Sequence, residues 1–142
     1  MKKRILFVCV HNSARSQMAE AFCNAYGGEN FIAESAGLEV GKLNPSVVKV
    51  MAEAGFDISG NKCSDVFEFY KEGRSYSYVI TVCDESSSQS CPIFPGLVVE
   101  GRLHWSFAEP SSFTGTEDDI LERTRIVRDQ IKAKVLEFLK EI

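Results

Sequence analysis

The chain has 142 residues, and its 16 Lys and Arg against 20 Asp and Glu give a formal net charge of −4. At this length a single hydrophobic core is the rule, so we expect one domain over residues 1–142. The composition, 44% hydrophobic and 25% charged, excludes disordered, collagen-like and coiled-coil proteins. No stretch approaches the roughly 18 apolar residues of a membrane span, and the acidic balance argues against nucleic acid or a membrane as partner.

The predicted elements alternate between strands and helices along the chain. The predicted strands are residues 4–8, 31–33, 78–82 and 102–107. The predicted helices are residues 16–26, 45–54, 65–72 and 117–142, with Asn44, Ser64 and Thr116 as N-caps of the last three. This alternation predicts an α/β fold, a three-layer sandwich around a central parallel sheet of about four strands.

Five cysteines lie at scattered spacings, and an odd number does not form a structural disulfide framework. The N-terminal apolar run is too short for a signal peptide. We therefore expect a cytoplasmic protein whose thiols stay reduced and available for chemistry.

The loop after the first strand carries the strongest functional signal. Cys9 ends that strand and Arg15 opens a helix six residues later, so backbone N–H groups and a guanidinium can converge on one oxyanion. The same groups stabilise a thiolate on Cys9. Asn12 tolerates a left-handed backbone, and the hydroxyls of Ser13 and Ser16 could donate to the sulfur. The alternative is a purely structural role, in which Cys9 is a small buried residue at the end of a strand and Arg15 is a surface residue of the helix. The predicted oxyanion-binding residues are Val10, His11, Asn12, Ser13, Ala14, Arg15 and Ser16.

The segment from Cys9 to Glu20 resembles the active-site loop of the low-molecular-weight protein tyrosine phosphatase superfamily, and in particular of its arsenate reductase branch. Four further segments match in order and spacing: residues 34–37, 64–65, 79–83 and 104–110. The resemblance implies a low-molecular-weight phosphatase-like fold, with Cys9 as nucleophile and Arg15 as oxyanion clamp. Ala14 departs from the pattern, because many members have another cysteine there.

Additional thiols distinguish a reductase from a phosphatase. By resemblance to thioredoxin-coupled reductases, Cys83 attacks the Cys9 adduct, and Cys91 then attacks Cys83 and carries a disulfide to an external dithiol such as thioredoxin. The alternative interpretation is two unrelated loop cysteines. Zinc is disfavoured, because no C-x-x-C pair or adjacent histidine supplies a ligand set.

The remaining expectations concern the general acid of the reaction and a bound cation. Glu109 precedes a proline where the family places its general acid, although Asp is commoner there. Some reductases of the branch hold potassium near residues matching Asn12, Glu20, Ser35 and Asp65. No other bound cofactor is expected.

Arsenate reduction by a monomer with an external thiol reductant is the main hypothesis. The expected substrate is arsenate or a phosphate-like oxyanion. The principal alternative is a low-molecular-weight protein tyrosine phosphatase that hydrolyses phosphomonoesters through a Cys9 thiophosphate, with Cys83 and Cys91 incidental. A non-catalytic oxyanion-binding regulatory module is the third.

Overall fold

A computed structural model describes residues 2–39, 41–83 and 94–142 of the chain. Its strands are β1 (Lys3–Cys9), β2 (Phe31–Gly37), β3 (Tyr76–Cys83) and β4 (Val98–Ser106). Its helices are α1 (Arg15–Tyr26), α2 (Pro45–Glu53), α3 (Val66–Lys71) and α4 (Glu117–Glu141), with short 3-10 turns at Gly28–Asn30 and Pro110–Ser112. No helix of these described residues is long and apolar enough to cross a membrane.

The four strands form one parallel sheet in the order β2-β1-β3-β4. β1 is central, and its residues from Ile5 to Cys9 are all buried, as expected for a strand covered on both faces. The parallel α/β sheet of four strands predicted from the sequence is therefore confirmed.

Helices cover both faces of the sheet, giving three layers. On one face α1, α2 and α4 pack in a large cluster with Phe7, Ile80 and Trp105. On the other face Val66 of α3 packs with Leu6, Val8 and Phe94 in a smaller cluster. The carboxyl ends of the two central strands lie between these layers, which is where ligands bind in open α/β sheets.

Several boundaries differ from the predicted ones. β2 runs to Gly37, because its polar end still pairs with β1, and β4 begins earlier than predicted, at Val98. The cap of α3 is Asp65 rather than Ser64, since its carboxylate accepts from the Phe67 N–H at 2.8 Å. The predicted capping of α2 by Asn44 and of α4 by Thr116 is confirmed.

Candidate active site

Cys9 ends β1 with its side chain only 2% exposed. Its sulfur accepts a hydrogen bond from the backbone N–H of Asn12 at 3.2 Å and lies 2.8 Å from the Ser16 hydroxyl. The Ser16 oxygen already accepts from the side-chain amide of Asn12 at 2.7 Å, so its proton is free to point at the sulfur. Two donors therefore face the Cys9 sulfur, an arrangement that suits a negatively charged acceptor.

Asn12 gives the loop its shape. Its φ of 54° lies in the left-handed region, as its residue type predicts. Its buried side chain accepts from the Ser64 N–H at 2.7 Å, which ties the loop to the segment before α3. Sequence reasoning found the backbone role of Asn12 but not this second anchor.

Gly37 leaves room for the same loop. A Cβ at this position would lie 2.7 Å from the Asn12 nitrogen and 2.9 Å from the Val10 oxygen, closer than real Cβ contacts. The end of β2 therefore passes directly beside the loop, where Glu39 N–H donates to the Val10 carbonyl at 2.8 Å. Nothing in the sequence identified this close approach.

The other predicted oxyanion-binding residues take different environments. Val10, Ser13 and Ala14 are all buried. The ring of His11 is partly exposed, with its Nδ1 3.2 Å from the Glu39 carbonyl oxygen. Of the two predicted hydroxyl donors, Ser16 is the one that the structure places beside the Cys9 sulfur.

Arg15 is the largest fully buried side chain among the described residues. One Nη donates to the Phe107 carbonyl at 3.0 Å, and the other contacts the Glu109 carboxylate at 2.5 Å. Its Nε finds no acceptor among the residues that the structure describes. A buried donor without a partner is costly, so this atom marks a position where an anion would be stabilised.

Glu109 uses both of its carboxylate oxygens. Oε2 pairs with Arg15, and Oε1 accepts from the Ser111 N–H at 3.1 Å, so Glu109 caps the turn that follows it. The predicted acid thus lies at the site, bound to the arginine that was expected to hold the oxyanion.

Gln17 and the segment from Asn61 to Ser64 hold the Cys9 loop through hydrogen bonds. Gln17 is 1% exposed and donates to the carbonyls of Asn12 and Lys62. Cys63 lies between these anchor points, and its pKa is raised by burial and by the negative charge of Cys9. Cys63 is partly exposed and close enough to Cys9 to interact with its charge. No signal in the sequence marked Gln17 as a support of the loop, because its burial depends on the distant segment that packs against it.

Cys23 differs from Cys63, because it lies in the core with no exposed surface. Burial raises the pKa of its thiol to about 12. It is therefore a packing residue, as its position within α1 indicated.

The four predicted potassium ligands do not share one environment. Glu20 and Ser35 line a cavity of about 300 Å³, whereas the Asn12 amide oxygen accepts from Ser64 and Asp65 caps α3. The pKa of Glu20 is raised to about 7, chiefly by burial and also by the charge of Glu34, although hydrogen bonds from Ser35 lower it. A carboxylate in this setting fits an alkali cation, whose preferred ligands are oxygens. No cluster of three His, Cys, Asp or Glu suited to a metal occurs in the described part of the chain.

The backbone of Cys83 ends β3 and pairs with Ser106 of β4. Cys91 lies outside the described residues.

A parallel α/β sheet whose first strand leads into a loop with a buried cysteine and a buried arginine is the arrangement that the sequence predicted for an oxyanion site. The family model for low molecular weight phosphotyrosine protein phosphatase matches residues 4–142. The chain belongs to this family.

Individual proteins and solved structures are similar to the chain over nearly its whole length. A protein named arsenate reductase from Bacillus subtilis (strain 168) is 39% identical over 136 residues, covering 96% of this chain and 94% of the relative. A solved structure described as an arsenate reductase in the phosphate binding state is 32% identical, covers 100% of this chain and 99% of that one, and has a TM-score of 0.79. A low molecular weight protein tyrosine phosphatase from T. tengcongensis, 22% identical with a TM-score of 0.75 and covering 99% and 100%, shares the fold.

Proposed function

We propose that the protein is an arsenate reductase that uses Cys9 as its nucleophile. The observation that carries the oxyanion chemistry is the pairing of a donor-surrounded sulfur with a buried arginine whose Nε meets no acceptor within the described part of the chain. The relatives named arsenate reductase, similar over nearly the whole chain, favour arsenate as the oxyanion.

In the first step the Cys9 thiolate attacks the arsenic of arsenate, and an oxygen leaves as water after taking a proton. Arg15 and the N–H groups of the loop bind the remaining oxygens, where charge accumulates in the transition state. Glu109 is the candidate donor of that proton, because its carboxyl group lies within the site.

In the second step the Cys83 thiolate attacks the Cys9 sulfur. The S–As bond breaks, its electron pair reduces As(V) to As(III), and arsenite leaves from a Cys9–Cys83 disulfide. Val8 pairs with Thr81 on the neighbouring strand, which puts Cys9 opposite Val82. Cys83 therefore lies one residue beyond the position paired with Cys9. Strand spacings of about 4.8 Å across and 3.3 Å along then put the two Cα atoms about 6 Å apart. That separation is within the range for a disulfide, but a one-residue offset puts positions 9 and 83 on opposite faces of the sheet, so the link requires the end of β3 to move.

In the third step Cys91 attacks Cys83, which frees Cys9 and leaves a Cys83–Cys91 disulfide. An external dithiol, thioredoxin in our hypothesis, reduces this disulfide and completes the cycle. Because the cycle requires this reductant, we propose a cytoplasmic location. We also propose a monomer, because the carboxyl edge of the sheet must stay accessible to the external dithiol.

We also propose that potassium binds in the cavity lined by Glu20 and Ser35, whereas the predicted ligands Asn12 and Asp65 already accept hydrogen bonds from the Ser64 and Phe67 N–H groups. The ion would supply positive charge under the loop, and no step of the reaction passes through it.

The test measures arsenate-dependent NADPH consumption with thioredoxin and thioredoxin reductase, beside hydrolysis of a chromogenic aryl phosphate. The reductase proposal predicts that Cys9→Ser, Cys83→Ser and Cys91→Ser each stop arsenate turnover, whereas Cys9→Ser alone stops ester hydrolysis. Cys23→Ala is the matched control, because Cys23 is a buried core thiol, and it should retain both activities.

The second candidate function is a protein tyrosine phosphatase, favoured by the description of the family that matches the chain. Ester hydrolysis without arsenate reduction would support this function and contradict the reductase. Oxyanion binding with neither activity would instead support the regulatory module. A Cys83→Ser variant that reduced arsenate at the wild-type rate would disprove the relay.

A further inference from the structure

The contact between Glu109 and Arg15 places a carboxylate on the group that binds the substrate. The two side chains are separated by 94 residues in sequence, with only 13% of Glu109 and 1% of Arg15 exposed. An oxyanion held by the loop would need the same guanidinium. Because like charges that share a partner repel each other, the carboxylate and a dianion cannot both be bound there without cost.

The surroundings of Glu109 hold its backbone, and its side chain is held by two contacts, to Arg15 and to the Ser111 N–H. The Glu109 carbonyl accepts from the Ser112 N–H at 3.0 Å and from the Ser112 hydroxyl at 2.7 Å. The side-chain amide of Asn44 donates to the Ser111 hydroxyl. The backbone N–H of Asn44 donates to the Ser13 carbonyl in the Cys9 loop. Displacement of Glu109 from Arg15 therefore requires a change of side-chain rotamer, without movement of the segment that carries it.

The length of the side chain is what makes the contact. An aspartate at this position would be shorter by one C–C bond, about 1.5 Å, and would not keep a 2.5 Å contact from the same backbone. The other anchor of the guanidinium, the Phe107 carbonyl, is a contact that does not involve the Glu109 side chain. Arg15 thus has an anchor apart from Glu109, and Glu109 adds a competing negative charge.

We propose that Glu109 is an internal competitor of the substrate: its carboxylate occupies Arg15 in the empty site, an oxyanion must displace it, and this contact sets the oxyanion affinity. The inference rests on the proposed function only in its use of the Cys9 loop as an oxyanion site. Once displaced, the Glu109 carboxylate can take up a proton from solvent and donate it to the leaving oxygen.

The experiment measures inorganic phosphate binding by isothermal titration calorimetry, so arsenate turnover plays no part in the readout. Glu109→Gln keeps the size of the side chain and its cap to Ser111 but removes the charge. We expect it to bind phosphate about tenfold more tightly than wild type, because a like charge beside the bound anion has been removed. Glu109→Asp should bind with intermediate affinity, since it keeps the charge but loses the direct contact.

Glu100→Gln is the matched control. It removes one negative charge from an exposed pair with Lys3 near the start of β4, at the other end of the sheet, and should leave the phosphate affinity unchanged. Unchanged binding in Glu109→Gln would overturn the proposal and leave Glu109 as an acid only. Weaker binding would also overturn it, and would instead make Glu109 a support for Arg15. Failure of arsenate reduction with tighter phosphate binding would contradict the reductase but not this inference.

Discussion

Ser16 lies between two polar partners, since its oxygen accepts from Asn12 and its proton is directed to the Cys9 sulfur. Ser16→Ala removes one of the two donors that face that sulfur. We expect the rate of Cys9 alkylation by iodoacetamide at pH 7 to fall several-fold, since the thiolate is the reactive form.

Mass spectrometry of the Cys9 peptide over time gives this rate. Ser77→Ala is the control, because Ser77 lies near the start of β3, far from the carboxyl edge where Cys9 lies. An unchanged rate in Ser16→Ala would show that the hydroxyl does not stabilise the thiolate.

Glu20 makes stability depend on pH. Its pKa is raised to about 7 in the folded protein from an ordinary value of 4.5. Folding therefore favours the protonated form, and the stabilisation present below pH 4.5 is lost as pH rises through 7. The full difference amounts to about 3 kcal/mol.

Urea unfolding between pH 5 and pH 8 measures this loss. Glu20→Gln should show a weaker decline in the free energy of unfolding over that range. If a potassium ion binds the charged carboxylate, potassium chloride should restore stability to wild type at pH 8 more than an equal concentration of choline chloride does. Equal pH profiles for variant and wild type would contradict the role of Glu20.

At the scale of elements, the close crossing of β2 and the Cys9 loop is the most demanding packing contact at the site. Gly37→Ala would place a methyl group 2.7 Å from the Asn12 nitrogen and 2.8 Å from the His11 carbonyl carbon. Both are backbone atoms, so the loop itself must move. We expect a loss of about 1–3 kcal/mol of stability together with weaker phosphate binding.

Gly60→Ala serves as the comparison, because a Cβ there meets nothing within 4 Å. Chemical denaturation and calorimetry with phosphate measure the two effects. Wild-type phosphate affinity in Gly37→Ala would show that the loop tolerates the shift.

The long helix α4 begins with a capping box, in which Thr116 accepts from the Asp119 N–H and the Asp119 carboxylate accepts from the Thr116 N–H. Thr116→Ala should lower the free energy of unfolding by about 1 kcal/mol, because an N–H loses its acceptor. Thr114→Ala, two residues earlier and exposed, should change it little. Equal midpoints in urea for both variants would disprove this contribution of the cap.

Local signals in the sequence predicted most of the elements and the centre of the site. Thr116 with Asp119, Asn44 with Pro45, and the apolar run of β1 each act within a few residues, and all three are confirmed. The support of the loop by Gln17 and Gly37 could not be predicted, because it depends on which distant segment passes beside the loop. The pairing of Arg15 with Glu109 joins two motifs that the sequence identified separately.

At the scale of the whole molecule, the strand order brings the ends of β1 and β3 together, and the proposed relay depends on this neighbourhood. With Cys91→Ser, one equivalent of arsenate should leave a Cys9–Cys83 disulfide, because the third thiol that resolves it is missing. Peptide mapping without reductant after acid quenching detects the link. Cys83→Ser treated in the same way should show no disulfide to Cys9, and a Cys91→Ser protein without the Cys9–Cys83 link would contradict the proposed order.

The Nε of Arg15, which has no acceptor among residues 2–39, 41–83 and 94–142, also affects the choice of buffer for this protein. Any tetrahedral anion in the buffer that supplies the missing acceptor stabilises the folded state, by about 2.7 kcal/mol when its concentration is a hundred times its dissociation constant. Melting temperatures recorded in phosphate or sulfate would then report on a complex, and kinetic constants would include competitive inhibition. Comparisons between variants of the site are therefore meaningful only in buffers without such anions.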